Sequence, residues 1–276
     1  MPTNEQAPVP VIDTSVASVA RVYDALLGGK DNYEVDRVVY RSVLEASPEA
    51  PRTATAIRQW LVRVVRWLAG PAGMDQFLDL GSGLPTVENT HEVAQRVNPD
   101  ARVVYVDNDP VVSAHGRALL EENDRTHFVE MDLTEPERVL AHPAVTENLD
   151  LERPFVLMQC NTLHHLMDDE NPYQIMKTYV DALPSGSYAA LCHFWDPAEE
   201  NAEFSAFARD MEQRLTGSTM GSGRFRTRQE IRSYLDGLEL VEPGLVMLHE
   251  WWPEGPRLEP LTNMDQVFLS GVAQKP

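Results

Sequence analysis

The chain has 276 residues, of which 43% are apolar and 24% are charged. This composition suffices for a large domain with its own hydrophobic core and excludes wholesale disorder. The formal net charge of −20 disfavours a nucleic-acid substrate and fits a small neutral or cationic ligand, although an acidic surface is also typical of soluble proteins in general.

The two cysteines, Cys160 and Cys192, both lie in apolar runs. This predicts buried free thiols in a reducing compartment, and we expect a cytoplasmic protein. Residues 1–11 have no basic start and no long apolar stretch, so we expect no signal peptide. The sequence has no run of about 18 apolar residues, so no contact with a membrane is predicted. The oligomeric state stays open, and a homodimer is one of the states allowed.

The first 73 residues carry helical patterns and no strand pattern. Residues 1–14 are predicted to form a loose tail, since they begin polar and proline-rich. Helical patterns begin at Ser15, cover residues 34–44 and recur in residues 57–68, where apolar side chains follow the spacing i, i+3, i+4, i+7. The sequence therefore predicts an N-terminal helical cap over residues 15–73.

Short apolar runs alternate with helical patterns from Met74 onward. The predicted strands cover residues 76–80, 101–106, 127–131, 155–160 and 188–194. The predicted helices between and after them cover residues 87–97, 110–122, 136–142, 172–183 and 198–215. Such alternation is typical of a parallel sheet with helices on both faces, and predicts the α/β class with a Rossmann-like domain over residues 74–276.

The C-terminal part breaks this alternation. A helix is predicted over residues 227–235, and strands over residues 238–241, 245–251 and 265–273. Because no helices separate these strands, they predict an antiparallel edge on the sheet.

A glycine-rich turn follows the first predicted strand, in the string FLDLGSGLP. Gly81 and Gly83 allow a tight turn and a close approach of a ligand to the backbone around Ser82. Thr86 stands where a dinucleotide-binding pattern needs a third glycine, so NAD and FAD are disfavoured. Asp79 completes a D-x-G-x-G pattern, which resembles motif I of class I S-adenosylmethionine-dependent methyltransferases. A purely structural turn is the alternative.

Polar residues end the next three predicted strands. Asp107 is expected to accept hydrogen bonds from both ribose hydroxyls of the cofactor, with Asn108 against the adenine. Asp132 is expected to accept a bond from the adenine amino group, with the backbone of Leu133 at a ring nitrogen. Capping of the next helix is a compatible alternative for Asp132. Asn161 is placed to face the cofactor or the methyl acceptor.

Three histidines lie at or after the ends of the fourth and fifth strands. His164 and His193 are the candidates for proton transfer, whereas His165 is expected to be structural. The spacing around the histidine pair is unlike that of zinc ligands, so no metal site is predicted.

Seven strings carry a family resemblance: SVARVYDALLGGKDNY (residues 18–33), FLDLGSGLPT (77–86), VYVDNDP (104–110), LHHL (163–166), LPSGSY (183–188), FRTR (225–228) and LELVEPGL (238–245). On these strings the chain, from about Ser15 to its end, resembles an actinobacterial family of S-adenosylmethionine-dependent methyltransferases once catalogued as a domain of unknown function. The resemblance implies a seven-stranded class I methyltransferase sheet with its last strand antiparallel, an N-terminal helical cap, and S-adenosyl-L-methionine as the cofactor. It supplies no acceptor.

The first of these strings also has a physical interpretation. The glycine pair Gly28 and Gly29 would let the chain turn sharply, so that the following residues fold over the cofactor. Arg21 or Lys30 would then pair with the cofactor carboxylate, and Tyr23 would stack on or bond to a ligand. A helix-capping turn with surface charges is the alternative.

Together these features predict methyl transfer to a small organic molecule, in secondary metabolism. Two alternatives stay open: an S-adenosylmethionine-binding enzyme of other chemistry, such as cyclisation or aminocarboxypropyl transfer, and a non-catalytic cofactor-binding protein.

Overall fold

The computed structural model describes residues 12–86, 88–119, 123–198, 200–256 and 259–276. The tail predicted over residues 1–14 therefore falls largely outside the described residues. A seven-stranded sheet lies at the centre of the structure. Its strands are β1 (Gln76–Leu80), β2 (Arg102–Asp107), β3 (Thr126–Glu130), β4 (Val156–Cys160), β5 (Tyr188–Phe194), β6 (Glu239–Leu240) and β7 (Phe268–Gln274).

The strand order is β3-β2-β1-β4-β5-β7-β6. Strands β1 to β5 pair in parallel, whereas β7 runs antiparallel between β5 and β6. This topology confirms the predicted α/β class, the seven strands and the antiparallel last strand. The order reverses direction at β1, between β2 and β4, and a reversal of this kind opens a crevice at the carboxyl ends of the strands.

Helices cover both faces of the sheet. They are α1 (Val19–Leu26), α2 (Glu34–Ala46), α3 (Ala50–Ala69), α4 (Thr90–Val97), α5 (Pro110–Leu119), α6 (Pro136–Leu140), α7 (Pro143–Thr146), α8 (Pro172–Asp181), α9 (Ala202–Thr216) and α10 (Arg228–Ser233). Both outer faces are thus shielded, which explains why β1 and β5 are buried at every position. Within the described residues, no helix has the length and apolar character needed to cross a membrane.

The first three helices pack on one face of the sheet. Trp60, Val64 and Leu68 of α3 are fully buried and belong to the same apolar cluster as Phe77 of β1. A buried ion pair joins α1 to α2, with Arg21 Nε 2.9 Å from Asp36 Oδ2. The predicted helices without strands are therefore present; their separation into a cap domain remains a prediction.

One predicted strand is wrong. Residues 245–251 contain a single bridge, from Val246 to Ser270, and then a 3₁₀ helix over Leu248–Glu250. Leu248 and Trp251 are both buried, and their spacing of three residues puts them on one side of a helical turn. The Trp251 indole donates to Ser270 O at 3.0 Å, which fixes the turn against β7.

Two predicted helices begin later than expected because of side-chain caps. Asn89 caps α4 through a capping box with Glu92, and the expected start at Val87 lies outside the described residues. Asn201 caps α9 by accepting from the backbone of Glu203 and Phe204. The predicted end of α5 at residue 122 also lies outside the described residues.

The turn from β1 to α4 contains two glycines with positive φ, namely +70° at Gly81 and +67° at Gly83. A Cβ at Gly81 would lie 2.3 Å from Thr162 Cγ2, whereas a Cβ at Gly83 would meet open space. Gly81 is thus required by backbone conformation and by packing, and Gly83 by conformation alone.

We therefore expect Gly83→Ala to lower the free energy of unfolding by about 1 kcal/mol and Gly81→Ala by about 2–4 kcal/mol. Urea unfolding followed by circular dichroism measures both. Adding Thr162→Ser, which removes Cγ2 and keeps the hydroxyl, is expected to restore part of the stability lost in Gly81→Ala. Equal losses for the two glycine variants would contradict this account of the turn.

Candidate functional site

A cavity of about 510 Å³ opens at the carboxyl ends of β1 to β4. This volume lies within the range of small-ligand sites, about 300–1,000 Å³. The walls are the loops after these four strands, together with residues of α1 and α3. The predicted site residues on the lining are Tyr23, Asp79, Gly81, Ser82, Gly83, Asp107, Asn108, Asp132, Leu133 and Asn161.

The glycine turn and the tip of β2 are joined directly. Gly83 N donates to Asp107 Oδ2 at 2.8 Å, and Asp109 N donates to Asp107 Oδ1 at 2.9 Å. Burial of Asp107 raises the pKa of its carboxyl to about 6, although both backbone bonds oppose this rise. One carboxylate therefore fixes the end of β2 against the end of β1 while it lines the cavity.

The tip of β3 holds a second carboxylate. Asp132 Oδ1 accepts from the backbone and the hydroxyl of Thr134 at 2.9 and 2.8 Å, and Asn108 Nδ2 donates to Asp132 Oδ2 at 3.1 Å. Asp132 thus lies in the turn before α6 and lines the cavity, but it does not cap that helix, so the capping alternative is wrong. The N-cap of α6 is Glu135.

Asp79 lies at the floor of the cavity, on β1. Its Oδ2 accepts from the hydroxyl of Thr90 at 2.7 Å. Burial raises the pKa of the Asp79 carboxyl, while the Thr90 hydrogen bond and the nearby charge of Arg58 oppose the rise.

Three polar atoms on the lining are buried without a hydrogen-bond partner in the described part of the protein. They are Ser82 Oγ, Asn161 Oδ1 and Arg58 Nε. Asn161 also has a φ of +66°, a left-handed conformation that asparagine tolerates better than most residues. A buried polar group without a partner costs about 1–3 kcal/mol, so a polar ligand that reached these atoms would offset that cost.

The two histidines predicted for proton transfer do not line the cavity. His164 is fully buried and stacked on Phe194 with ring centroids 3.7 Å apart, and burial lowers its pKa. His193 Nδ1 donates to Phe194 O at 2.6 Å, and burial lowers its pKa to about 3. Both imidazoles belong to the core behind the wall, which corrects their assignment as candidate bases.

His165, expected to be structural, is the neighbour that does line the cavity. The chain after β4 forms a 3₁₀ helix, Leu163–His165, in which His165 reaches the lining and His164 is fully buried, with the two rings 4.6 Å apart. His165 Nδ1 is hydrogen bonded to Ser222 Oγ at 3.0 Å, and burial lowers its pKa to about 4. It is therefore a neutral imidazole near neutral pH.

Arg21 also lies away from the cavity lining. Its Nη2 donates to Val16 O at 2.6 Å in addition to the ion pair with Asp36. The expectation that Arg21 meets the cofactor carboxylate is corrected accordingly, because its donors serve the junction of α1 and α2. Lys30, the other cation considered, is exposed and outside the lining. Tyr23 remains on the lining, with its hydroxyl donating to Ala54 O at 3.1 Å.

The polar lining residues that the predicted site did not include are Ser18, Arg58, Asp109, Thr134, Thr162, His165, Glu170 and Ser222. Arg58 belongs to an arginine-rich helix, so nothing in the spacing separates it from Arg63 and Arg66. The one available signal for Ser222 was its place between two glycines in a turn.

Comparison with known proteins extends this picture over the whole chain. The family model for S-adenosyl methyltransferases matches residues 5–276. No curated protein matches the sequence.

Solved structures give the same result. A candidate methyltransferase from Thermobifida fusca YX is 43% identical, with a TM-score of 0.89 and coverage of 97% of this chain and 98% of that chain. A DUF574 family protein from Streptomyces avermitilis MA-4680 is 37% identical, with a TM-score of 0.89 and coverage of 96% and 100%. An O-methyltransferase family protein from Burkholderia thailandensis shares the fold at 17% identity, with a TM-score of 0.51 over 86% of this chain and 62% of that chain.

The family match spans nearly the entire sequence, and the orphaned polar atoms beside a D-x-G-x-G turn fit a nucleoside with an amino-acid tail. The chain therefore belongs to the S-adenosyl methyltransferase family and is an enzyme that uses S-adenosyl-L-methionine as its methyl donor.

Proposed function

We propose that the enzyme methylates a small organic molecule, bound in the same cavity as the cofactor. The observation that carries the proposal is the convergence of four strand ends and three orphaned polar atoms on one cavity of about 510 Å³. A space of this size holds small molecules rather than a folded macromolecule. The net charge of −20 further disfavours a nucleic-acid acceptor.

The cofactor would lie across the strand ends in a fixed order. Asn108, Asp132 and the backbone of Leu133 would contact the adenine, and Asp107 would accept from the ribose hydroxyls. The amino-acid tail would then lie over the glycine turn, where Ser82, Asn161 and Asp79 line the wall. In this arrangement Ser82 Oγ and Asn161 Oδ1 each gain the partner that they lack in the protein alone.

The rest of the lining would receive the acceptor. It includes Ser18 to Ala20 and Tyr23 of the first helical segment, and His165, Glu170 and Ser222 from the segments after β4 and α9. Because Glu170 is acidic and the lining carries several further carboxylates, a neutral or cationic acceptor is favoured.

When bound, S-adenosylmethionine supplies a methyl group on a positively charged sulfur, which keeps the bonding electron pair and becomes a neutral thioether. The protein's main task is alignment of donor and acceptor with water excluded, which supplies about 7–11 kcal/mol of barrier lowering. For a hydroxyl acceptor, His165 would take the proton on Nε2. In this role Nδ1 would carry the ring hydrogen and donate it to Ser222 Oγ, 3.0 Å away, which leaves the lone pair of Nε2 for the substrate.

We further propose that the enzyme works in the cytoplasm, in secondary metabolism. Cys160 and Cys192 support the cytoplasm as the compartment, because both are free thiols although their sulfur atoms lie only 3.7 Å apart. Thiols are kept reduced in the cytoplasm. The metabolic setting rests on the proposed class of acceptor.

The placement of Asp107 predicts a pH-dependent affinity for S-adenosylhomocysteine. Ribose hydroxyls donate to the ionised carboxylate, and the unliganded carboxyl takes up a proton as the pH falls through about 6. We expect the wild-type affinity, measured by calorimetry from pH 8 to pH 5, to be constant above pH 7 and to fall by about tenfold per pH unit below 6.

Asp107→Asn is the matched control, because it keeps the shape of the side chain and cannot ionise. Its affinity is expected to be lower at pH 8 and flat over the same pH range, with urea unfolding used to check that it is folded. Wild-type affinity that does not change between pH 8 and pH 5 would remove Asp107 from the ribose site.

The role of His165 is tested by release of S-adenosylhomocysteine with a panel of phenols, alcohols and amines. For a hydroxyl acceptor, His165→Gln is expected to lower kcat by about 10²–10⁴-fold and to leave the affinity for S-adenosylhomocysteine within about twofold of the wild type. Ser222→Ala is expected to cause a smaller fall in kcat, since the imidazole remains. Undiminished kcat in His165→Gln would exclude the proton-transfer role, and activity only on amines would move the acceptor class to nitrogen.

A further inference from the structure

The lining of the cavity is strongly acidic, and among the residues that the structure describes it carries a single guanidinium. The carboxylates on it are Asp79, Asp107, Asp109, Asp132 and Glu170, and within the described residues Arg58 is the lysine or arginine that joins them. The amino-acid tail of S-adenosylmethionine has a carboxylate of its own, which acidic walls would repel. A cation on the lining would offset this repulsion, and Arg58 is placed to do so.

Arg58 lies on α3, and Leu61, one turn further along the helix, also lines the cavity. Arg58 Nη2 donates to Glu88 O at 2.9 Å, in the segment between the glycine turn and α4. This bond fixes the guanidinium at one end. Its Nε is buried and has no partner within the described residues, so one donor of the planar fork is left for a ligand.

The charge of Arg58 acts on the floor of the cavity. It opposes the rise in pKa that burial imposes on Asp79 of β1 and on Tyr23 of α1, so the guanidinium lies close enough to both groups for its field to be felt. Asp79 is two residues before Gly81, at the start of the glycine turn. The guanidinium thus lies near the glycine turn, where Gly81 and Gly83 carry no side chain.

Other cations near the site are already engaged. Arg21 is paired with Asp36. Arg63, five residues after Arg58 on the same helix, donates to Trp251 O and Leu248 O at 2.8 Å each. Neither lines the cavity. Arg58 therefore combines two properties that Arg21 and Arg63 lack: a place on the lining and a buried donor without a partner within the described residues.

We propose that Arg58 binds the carboxylate of the amino-acid tail of S-adenosylmethionine, with Ser82 Oγ as a second donor. A guanidinium and a carboxylate match in planar geometry, which makes this pair stronger than a bond between neutral groups. The proposal rests on the placement of the tail over the glycine turn. If Arg58 of α3 binds the carboxylate, the N-terminal helices form part of the cofactor site.

The test compares two ligands that differ in this tail. S-adenosylhomocysteine has the amino acid, whereas 5′-methylthioadenosine has the same nucleoside and lacks the amino and carboxyl groups. We expect Arg58→Met, which keeps the length of the side chain and removes its charge, to weaken S-adenosylhomocysteine by about 10- to 100-fold. The affinity for 5′-methylthioadenosine is expected to stay within about twofold, with both measured by calorimetry.

Arg66→Met is the matched control. Arg66 is on the same helix but half exposed and paired with Glu254, so its loss is expected to change neither affinity. Arg58→Lys keeps the charge without the fork and is expected to fall between the wild type and Arg58→Met.

Each outcome has a distinct meaning. An equal loss for both ligands in Arg58→Met would make Arg58 a structural residue and overturn the proposal, as would unchanged affinity for both. Should Arg58→Met fail to fold, the wild type decides: the carboxamide of S-adenosylhomocysteine is expected to bind at least about tenfold more weakly than the acid, and equal binding would overturn the proposal. Tight binding of 5′-methylthioadenosine with none of S-adenosylhomocysteine in the wild type would instead contradict the placement of the tail.

Discussion

The hydrogen bond from Gly83 N to the Asp107 carboxylate holds together the two strand ends on which the site depends. It requires a left-handed backbone at Gly83 and a carboxylate that stays buried at the tip of β2. The same carboxylate accepts from Asp109 N, so the start of α5 is fixed by the same group. Keeping a charge in this position is costly, which is visible in the raised pKa of Asp107. Ribose hydroxyls that donate to it would offset that cost and favour the charged form.

The N-terminal helices complete the site from the other side. The hydroxyl of Ser18, at the start of α1, donates to the Asp109 carboxylate beyond the tip of β2. Asp36 of α2 holds α1 through Arg21, and α3 reaches the segment before α4 through Arg58 and Glu88 O. These contacts join the helices to the same strand ends that form the cavity. The proposed acceptor would therefore enter a space whose walls come from the N-terminal helices and from the strand ends.

The strand ends were predictable because a buried parallel strand is a continuous apolar run, and the polar residue that ends it must lie at the crevice. Asp107 and Asn161 follow this rule. The arginines of α3 do not follow such a rule, because their places are set by tertiary packing. Arg58 lines the cavity, Arg63 donates to two backbone carbonyls, and Arg66 lies at the surface. The choice between His164 and His165 was wrong for a related reason, since the segment after β4 is a 3₁₀ helix, and it is His165 that lines the cavity. The strand predicted over residues 245–251, which end at Trp251, was wrong because a short run rich in apolar residues fits the period of a strand and that of a helix equally well.

The most direct measurement of the central claim is a crystal structure of the enzyme with S-adenosylhomocysteine. The account predicts one molecule across the ends of β1 to β4, with both ribose hydroxyls within hydrogen-bond distance of the Asp107 carboxylate and with polar atoms of the tail on Ser82 Oγ and Asn161 Oδ1. A ligand bound elsewhere, or a ribose turned away from Asp107 with those two atoms still without partners, would contradict it.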